Sequence, residues 1–303
     1  MKGWVLFFRK GSELEESDYS VRRLVEAAVE QGIELEVLAP QQFEIVANRD
    51  DRRSILIDNV PRELPDFVIP RMGSQTTYYA RAILRQLEHL GVPTINSSQT
   101  IEHVSDKLYI AQKLAQSALP TPRTMLAKPT VDGAIVEREI GFPAVIKTLS
   151  GTSGRGVHLC QDREAFRDLT DLIYENSPTA NLIVQELVKS SLGRDIRVFV
   201  VGGRVVGCME RRSKGGFKAN VALGGSVVAY PVDKELELLA LEVCRLFNLE
   251  IAGVDLLFTE TGYTICEANS APGFIGMEQV TGKVIAEEIM EYIRIHIGAK
   301  GDV

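Results

Sequence analysis

Three oxygen-bearing side chains near the C-terminus are the first that could do chemistry together: Asp255, Glu267 and Asn269. The stretch "AGVDLLFTETGYTICEAN" reads as a hairpin whose strands flank Glu260-Thr261-Gly262. A three-residue loop with glycine in its last, left-handed position is a common hairpin connection. Counting outward pairs Thr259 with Tyr263, Leu257 with Ile265 and Asp255 with Glu267. Directly opposed Cβ atoms stand ~4.5–5.5 Å apart, where like charges repel. Asn269, two residues past Glu267, points to the same side. These groups converge within otherwise apolar strands and need a counter-charge. Oxygen donors without histidine or cysteine suit Mg²⁺ or Mn²⁺. The competing reading is a solvated sheet edge with an incidental acid pair.

A second group of residues could hold phosphate. "KTLSGTSGRGVHL" begins with Lys147 at the end of an apolar strand and runs through a glycine-rich turn. It is not a P-loop, because Val157 and His158 follow Gly156 where lysine and a hydroxyl residue belong. It is not a dinucleotide fingerprint, because Leu159 stands where the third glycine belongs. A strand-end lysine, a turn rich in free N–H groups and a metal held elsewhere is still the logic of a nucleotide-phosphate site. Thr152 and Ser153 add hydroxyls. Taken alone, the turn reads equally as an exposed hairpin tip, and Lys107 as a solvated helix residue.

The stretch "DIRVFVVGGRVVGCMERRS" and its flanks add Arg194, Arg197, Arg211, Arg212, Lys214 and Lys218. Such a local cationic excess fits an anionic substrate, since the guanidinium fork binds carboxylate and phosphate in two places. Solvated edge charge is the bland alternative. A two-residue Gly202-Gly203 turn pairs Arg197 with Cys208 and leaves Arg211 on the opposite face. Both arginines enter one site only if a bulge after Cys208 re-aims the strand.

The elements that position these residues follow from apolar periodicity. "GWVLFF", "IELEVLAP", "SILIDN", "DFVIPR" and "VPTIN" read as strands. Between them, "DYSVRRLVEAAVEQG" and "TTYYARAILRQLEHLG" read as helices closed by Gly32 and Gly91. The alternation predicts a small doubly wound domain with a parallel sheet. "SDKLYIAQKLAQSALPTP" predicts a helix with Ser105 as N-cap, followed by a Pro120–Pro122 linker. Beyond Met125 the mixture of hairpins and helices predicts an α+β body of antiparallel sheets. The expected boundaries are residues 1–97 for the α/β domain, 98–185 for a central part with the glycine turn, and 186–303 for a C-terminal part with the acid cluster.

Bulk properties exclude several classes. The chain has 303 residues, a net charge of −7 and no long apolar run. A generic nucleic-acid binder needs a basic footprint, and a membrane span needs ~18 apolar residues. The cysteines at 160, 208, 244 and 266 form no CxxC, and the histidines form no ligand pair. Reduced, buried thiols in a cytoplasmic protein without nucleic-acid or membrane partners are expected.

The motifs resemble, in order and spacing, those of the ATP-grasp superfamily, specifically its RimK branch of L-glutamate ligases. "DKL", "VIKTLSGTSGRGV", "VQELV", "GRDIRVFVVGGRVVGCMERRS", "FKANVALGGS", "AGVDLL" and "CEANSAPGF" carry the resemblance, with "PRMGS" in the first domain. It implies a pre-ATP-grasp domain followed by two subdomains clamping ATP, a glycine turn that closes over the phosphates, and two Mg²⁺ or Mn²⁺ ions.

Carried over by motif, the resemblance assigns Lys107, Lys147, Ser153, Gly154 and Gly156 to the phosphates. It assigns Glu186 and Leu187 to adenine and Asp195 to the nucleoside. Lys218, Ala219 and Asn220 fall in the phosphate and metal region, and Asp255, Glu267 and Asn269 at the metals. Arg197, Arg211 and Asn220 would face the reacting carboxylate, and Arg71 and Ser270 would contact substrate.

The implied chemistry is two-step. A carboxylate takes the γ-phosphoryl group of ATP, and an amine, such as that of L-glutamate, then displaces phosphate. A homo-oligomer, dimer or tetramer, is also implied. One departure is Ala222-Leu223 before the paired glycines, where ribosomal-protein-modifying members carry His-Arg. "NVALGG" is similar to the branch making N-acetylaspartylglutamate and citrylglutamate. The acceptor is therefore open between a small molecule, a peptide and a growing glutamate chain. The alternatives are a ligase using another amino acid and a nucleotide-sensing regulator without turnover.

Overall fold

A computed structural model describes residues 1–47, 54–148, 156–216 and 225–301. The first layer forms where the apolar runs demand it. Strand β1 (Lys2–Leu6) leads to helix α1 (Tyr19–Glu30), which buries Val21, Leu24, Ala27 and Ala28. Gly32, at φ +68°, turns the chain into β2 (Glu34–Leu38). Strands β3 (Phe43–Ile45), β4 (Ile55–Ile57) and β5 (Val60–Pro61) form their own antiparallel sheet, so "SILIDN" lies outside the parallel layer. Strand β6 (Phe67–Pro70) completes the parallel sheet in the order β2-β1-β6. Helix α2 (Tyr78–His89) starts with Thr77 Oγ1 accepting from the Ala80 amide at 3.2 Å. "VPTIN" supplies one parallel bridge, Val68 to Thr94, and not a strand.

Helices α3 (Ser98–Ser105) and α4 (Lys107–Gln116) join this domain to the rest. Ser105 does not cap α4. It closes α3, its hydroxyl donating to the Glu102 carbonyl at 2.8 Å. Asp106 is the cap, its Oδ1 accepting from Leu108 N at 2.9 Å and Tyr109 N at 3.0 Å. A carboxylate there also meets the positive end of the helix dipole.

The next layer holds β7 (Thr124–Ala127), α5 (Gly133–Glu139), β8 (Ala144–Thr148), β9 (Val157–Cys160), α6 (Arg163–Asn176) and β10 (Leu182–Glu186). Its sheet runs β7-β10-β8-β9, antiparallel throughout. Alternation sends Ala127, Ile146, Leu182 and Val184 down onto Val136 and Phe166 of the two helices. The opposite face of the same strands carries Lys147, Ile183 and Gln185.

The last layer holds β11 (Arg194–Val201), β12 (Arg204–Arg212), β13 (Ser226–Ala229), α7 (Lys234–Phe247), β14 (Ile251–Phe258), β15 (Tyr263–Asn269), α8 (Ile275–Thr281) and α9 (Ile285–Gly301). Its antiparallel sheet runs β13-β12-β11-β14-β15. One face packs Ile196, Val198 and Val254 on Leu236, Ala240 and Val243 of α7. On the other, Phe199, Met209 and Ile251 share one core with Met290 and Ile293 of α9 and with Val5 and Phe67 of the parallel sheet. The architecture is thus an α/β domain with a parallel sheet, then an antiparallel α+β body. Cys160, Cys208, Cys244 and Cys266 are free thiols. Among the described residues no helix is long and apolar enough to cross a membrane.

Candidate active site

The side of the β7-β10-β8 sheet turned away from α5 and α6 is set by the period of two. Ile183 and Gln185 on β10 stand on that side, opposite Lys147 and Val145 on β8, and Gln185 stands opposite Thr124 on β7. This face, the start of α4 and strand β15 enclose a cleft lined by Lys107, Thr124, Lys147, Gln185, Cys266 and Glu267. Both expected phosphate lysines therefore face one space, across from one of the expected metal ligands. The Pro120–Pro122 linker is tied to the same place, because the Ile265 amide donates to the Pro120 carbonyl at 2.8 Å.

Lys147 is held by a chain of hydrogen bonds with one possible polarity. Thr124 Oγ1 donates to the Pro122 carbonyl at 2.8 Å. Its lone pairs then accept from Gln185 Nε2 at 2.9 Å. That fixes the amide, so Gln185 Oε1 faces Lys147 Nζ and accepts from it at 2.8 Å. Thr124 lies outside every motif quoted above, and Gln185 lies inside "VQELV", where the resemblance gives a role only to Glu186 and Leu187. The available signal for Gln185 was an uncharged polar residue directly after the apolar run "LIV".

The acid pair is where the hairpin count put it, but for different reasons. Phe258 pairs with Tyr263, Leu257 with Thr264 and Leu256 with Ile265. The turn therefore spans residues 259–262, held by Thr259 N donating to the Gly262 carbonyl at 2.9 Å and the Gly262 amide donating to Thr259 Oγ1 at 3.0 Å. Gly262 is not left-handed; a Cβ there would lie 2.5 Å from Glu235 Oε1. A bulge then inserts Cys266, and the register returns to Asp255 opposite Glu267. Two one-residue offsets cancel.

The arginine hairpin resolves its own tension with a bulge, placed earlier than expected. Val201 pairs with Arg204 and Val200 with Val205, as a Gly202-Gly203 turn demands. The register then slips at Val206, so Arg197 opposes Met209, not Cys208, and Arg211 opposes Asp195. Arg197 also opposes Asp255 on β14. One sheet face thus carries Arg211, Asp195, Arg197, Asp255 and Glu267 side by side.

These groups form a charge network. Arg197 grips Asp255 through Nε and Nη2 at 2.7 and 2.8 Å. Arg211 grips Asp195 at 2.6 and 2.7 Å and reaches Asp255 Oδ2 at 2.8 Å. Burial alone would raise the Asp255 carboxyl, but Arg197 and Arg211 outweigh it and hold the group below its ordinary value. Burial raises the Asp195 carboxyl, with Arg211 opposing and Asp255 adding to the rise. Burial disfavours the Arg211 charge, yet Asp255 and Asp195 raise its pKa overall.

Asp255 is buried, Glu267 is exposed, and Asn269 Oδ1 accepts from the Ala271 amide at 3.0 Å. Among the described residues no three His, Cys, Asp or Glu side chains cluster as a metal site. Two carboxylates and an amide are the donor set. That set fits Mg²⁺ or Mn²⁺ of the kind completed by phosphate oxygens, and it does not fit a metal needing an all-protein cage.

Other expected site residues surround this centre. The Glu186 carboxylate is held by Arg123 N and Nε at 3.0 and 2.7 Å, and half-buried Leu187 follows it at the end of β10. Gly156, at φ +73°, closes the foot of the glycine turn, its carbonyl accepting from Thr148 N at 3.0 Å. Ser270 is buried, its carbonyl accepting from Asn96 Nδ2 at 2.8 Å. Arg71 is buried too and donates from Nη2 to the Pro272 carbonyl at 2.7 Å. Ser153, Gly154, Lys218, Ala219 and Asn220 lie outside the described residues.

Known proteins resemble the chain along nearly its whole length. A family model described as the RimK-like ATP-grasp domain matches residues 104–293, and one described as the RimK PreATP-grasp domain matches 13–101. A "probable alpha-L-glutamate ligase 1" of Shewanella amazonensis is 39% identical over 279 residues, 91% of each chain. The "ribosomal protein bS6–L-glutamate ligase" of Escherichia fergusonii is 38% identical over 283 residues, 92% of each chain. The crystal structure of a RimK domain protein from Sphaerobacter thermophilus superposes with a TM-score of 0.74 over 96% of this chain and 99% of that one, at 19% identity. At that identity the likeness speaks for the fold.

Proposed function

The chain belongs to the RimK-like ATP-grasp family, and on that premise we propose that this ligase joins L-glutamate to a carboxylate acceptor through an acyl phosphate formed with ATP. The observation that carries the reading is the cleft itself. Lys107 from α4, Lys147 from β8 and Glu267 from β15 line it together, with the Arg197–Asp255–Arg211 network on the same sheet face as Glu267. Relatives named as glutamate ligases support the donor.

In this reading Lys107 and Lys147 neutralise the ATP phosphates, and Gln185 keeps Lys147 aimed at them. Glu186 and Leu187 border the adenine at the end of β10. Asp255, Glu267 and Asn269 would hold the divalent ions; when bound, these supply charge neutralisation at the transferring phosphoryl group. Arg197 and Arg211 face the acceptor carboxylate as it attacks and the acyl oxygen as the amine arrives. Their guanidinium groups are preorganised by Asp255 and Asp195, so little reorganisation is needed when charge moves. No residue acts as a covalent nucleophile; positioning and electrostatics carry the reaction. The acceptor is a small carboxylate, a peptide or a growing glutamate chain.

The test is phosphate release from Mg-ATP across a panel of amino acids and acceptors, with product masses read directly. Release dependent on L-glutamate and one acceptor class is expected. Binding of Mg-ATP with no release for any pair would overturn the reading in favour of a nucleotide sensor.

A further inference from the structure

Arg71 is a buried charge that no carboxylate among the described residues neutralises. It follows β6 in the "PRMGS" segment, and its side chain crosses from the parallel sheet to the turn after β15. The residue is 8% exposed. Only Nη2 has an acceptor, the Pro272 carbonyl at 2.7 Å; Nε and Nη1 are buried and find none among the described residues. The Phe274 ring lies 5.7 Å from the guanidinium carbon. Burial brings the pKa down to about 10, so the group is still cationic at neutral pH. Arg211, equally buried, is matched by two carboxylates. Burying an unmatched guanidinium is costly, and buried polar atoms without partners are rare in folded proteins.

The surroundings say what would match it. Gly253 lets the Pro272 turn and Arg197 come together: a Cβ there would lie 2.8 Å from Pro272 Cβ and 3.4 Å from Arg197 Cδ. Arg71 and Arg197 therefore approach the same proline from different domains, and Ser270 and Asn269 belong to the same turn. A group bound at Arg71 sits beside the arginine expected to face the reacting acyl carbon. In an amino-acid donor the amine reacts while the α-carboxylate, one carbon away, must be held and kept out of the reaction.

We propose that Arg71 is the receptor for the α-carboxylate of the amino-acid donor. The proposal rests on the ligase reading above and adds the donor subsite to it. The donor's carboxylate supplies the missing counter-charge, and its binding couples the first domain to the catalytic body. Removing the guanidinium removes an unmatched charge, so the free protein should lose no stability.

The experiment compares wild type, Arg71→Met and Arg71→Lys by thermal melting and steady-state kinetics. The probes are Mg with a non-hydrolysable ATP analogue, then L-glutamate or its α-amide. In wild type, L-glutamate should raise the melting temperature above the nucleotide-bound value, and the α-amide should not. Arg71→Met should melt at or above the wild-type temperature, keep the nucleotide shift and lose the L-glutamate shift. Its KM for L-glutamate should rise about tenfold or more, as loss of a charge-assisted pair does, with KM for ATP little changed. Arg71→Lys should recover part of the loss. An unchanged L-glutamate shift and KM in Arg71→Met would overturn the proposal, as would an α-amide that binds wild type as well as L-glutamate does. If wild type responds to the nucleotide but to no amino acid, the ligase reading itself fails.

Discussion

Asp255 and Glu267 face each other across a strand pair but do different work. Asp255 accepts three hydrogen bonds from two arginines, while Glu267 is exposed to solvent. Glu267→Gln should therefore leave stability within about 0.5 kcal/mol and lower turnover by about a hundredfold; urea melts and initial rates separate the two. Asp255→Asn should lose turnover and about 3 kcal/mol of stability as well, because it leaves half-buried Arg197 without its carboxylate and buried Arg211 with Asp195 alone. Gln185→Met should weaken Mg-ATP binding several-fold, about 1 kcal/mol, and Thr124→Val should do the same by freeing the amide to flip. Calorimetric titration with the nucleotide reads both, and unchanged affinity would remove the aiming role. Lys147 stood out only in combination, as a strand-end lysine before a glycine-rich turn in a chain that also carries the acid cluster. Gln185 did not, because its role depends on Thr124 and Pro122 across a sheet whose pairing no motif announces.

The two hairpins show which part of a β-structure alternation can reveal. Apolar and polar periodicity found every strand of the five-stranded sheet except β13. It could not count turns and bulges, since Cys266 and Val206 each add one residue without any compositional mark. The first bulge brings Arg197 and Arg211 to one face. The second restores Asp255 to Glu267 after a turn one residue longer than expected. Close approach at Gly253 is a further device: its missing side chain admits both Pro272 and Arg197. Gly253→Ala should cost about 1–3 kcal/mol, as overpacking does, and should lower kcat more than KM for ATP because it displaces Arg197. A stable, fully active alanine variant would show that the turn and the arginine have room to spare.

The first domain and the catalytic body form one packed unit. A continuous core runs from Val5 and Phe67 to Phe199, Ile251 and α9, and Asn96 pins the seam. Its amide accepts from Glu250 N and Ile251 N at 2.6 and 3.2 Å and donates to the Ile251 and Ser270 carbonyls at 2.7 and 2.8 Å. Asn96→Ala should lower unfolding free energy by about 2–4 kcal/mol, since buried backbone groups lose their partners. It should also depress activity through the Ser270 turn, whereas Ser97→Ala, which removes the Oγ that caps α3 by accepting from the Thr100 amide at 3.1 Å, should cost only about 1 kcal/mol. The order of α/β and antiparallel layers was legible from periodicity, but the seam was not, because Asn96 reads as an ordinary loop asparagine. The proposed acyl phosphate would draw on all these parts and is tested most directly by isotope transfer. With heavy oxygen in the acceptor carboxylate, Mg-ATP and L-glutamate present, each released phosphate should carry one labelled oxygen. Unlabelled phosphate, formed in step with the amide, would contradict carboxylate activation by phosphoryl transfer.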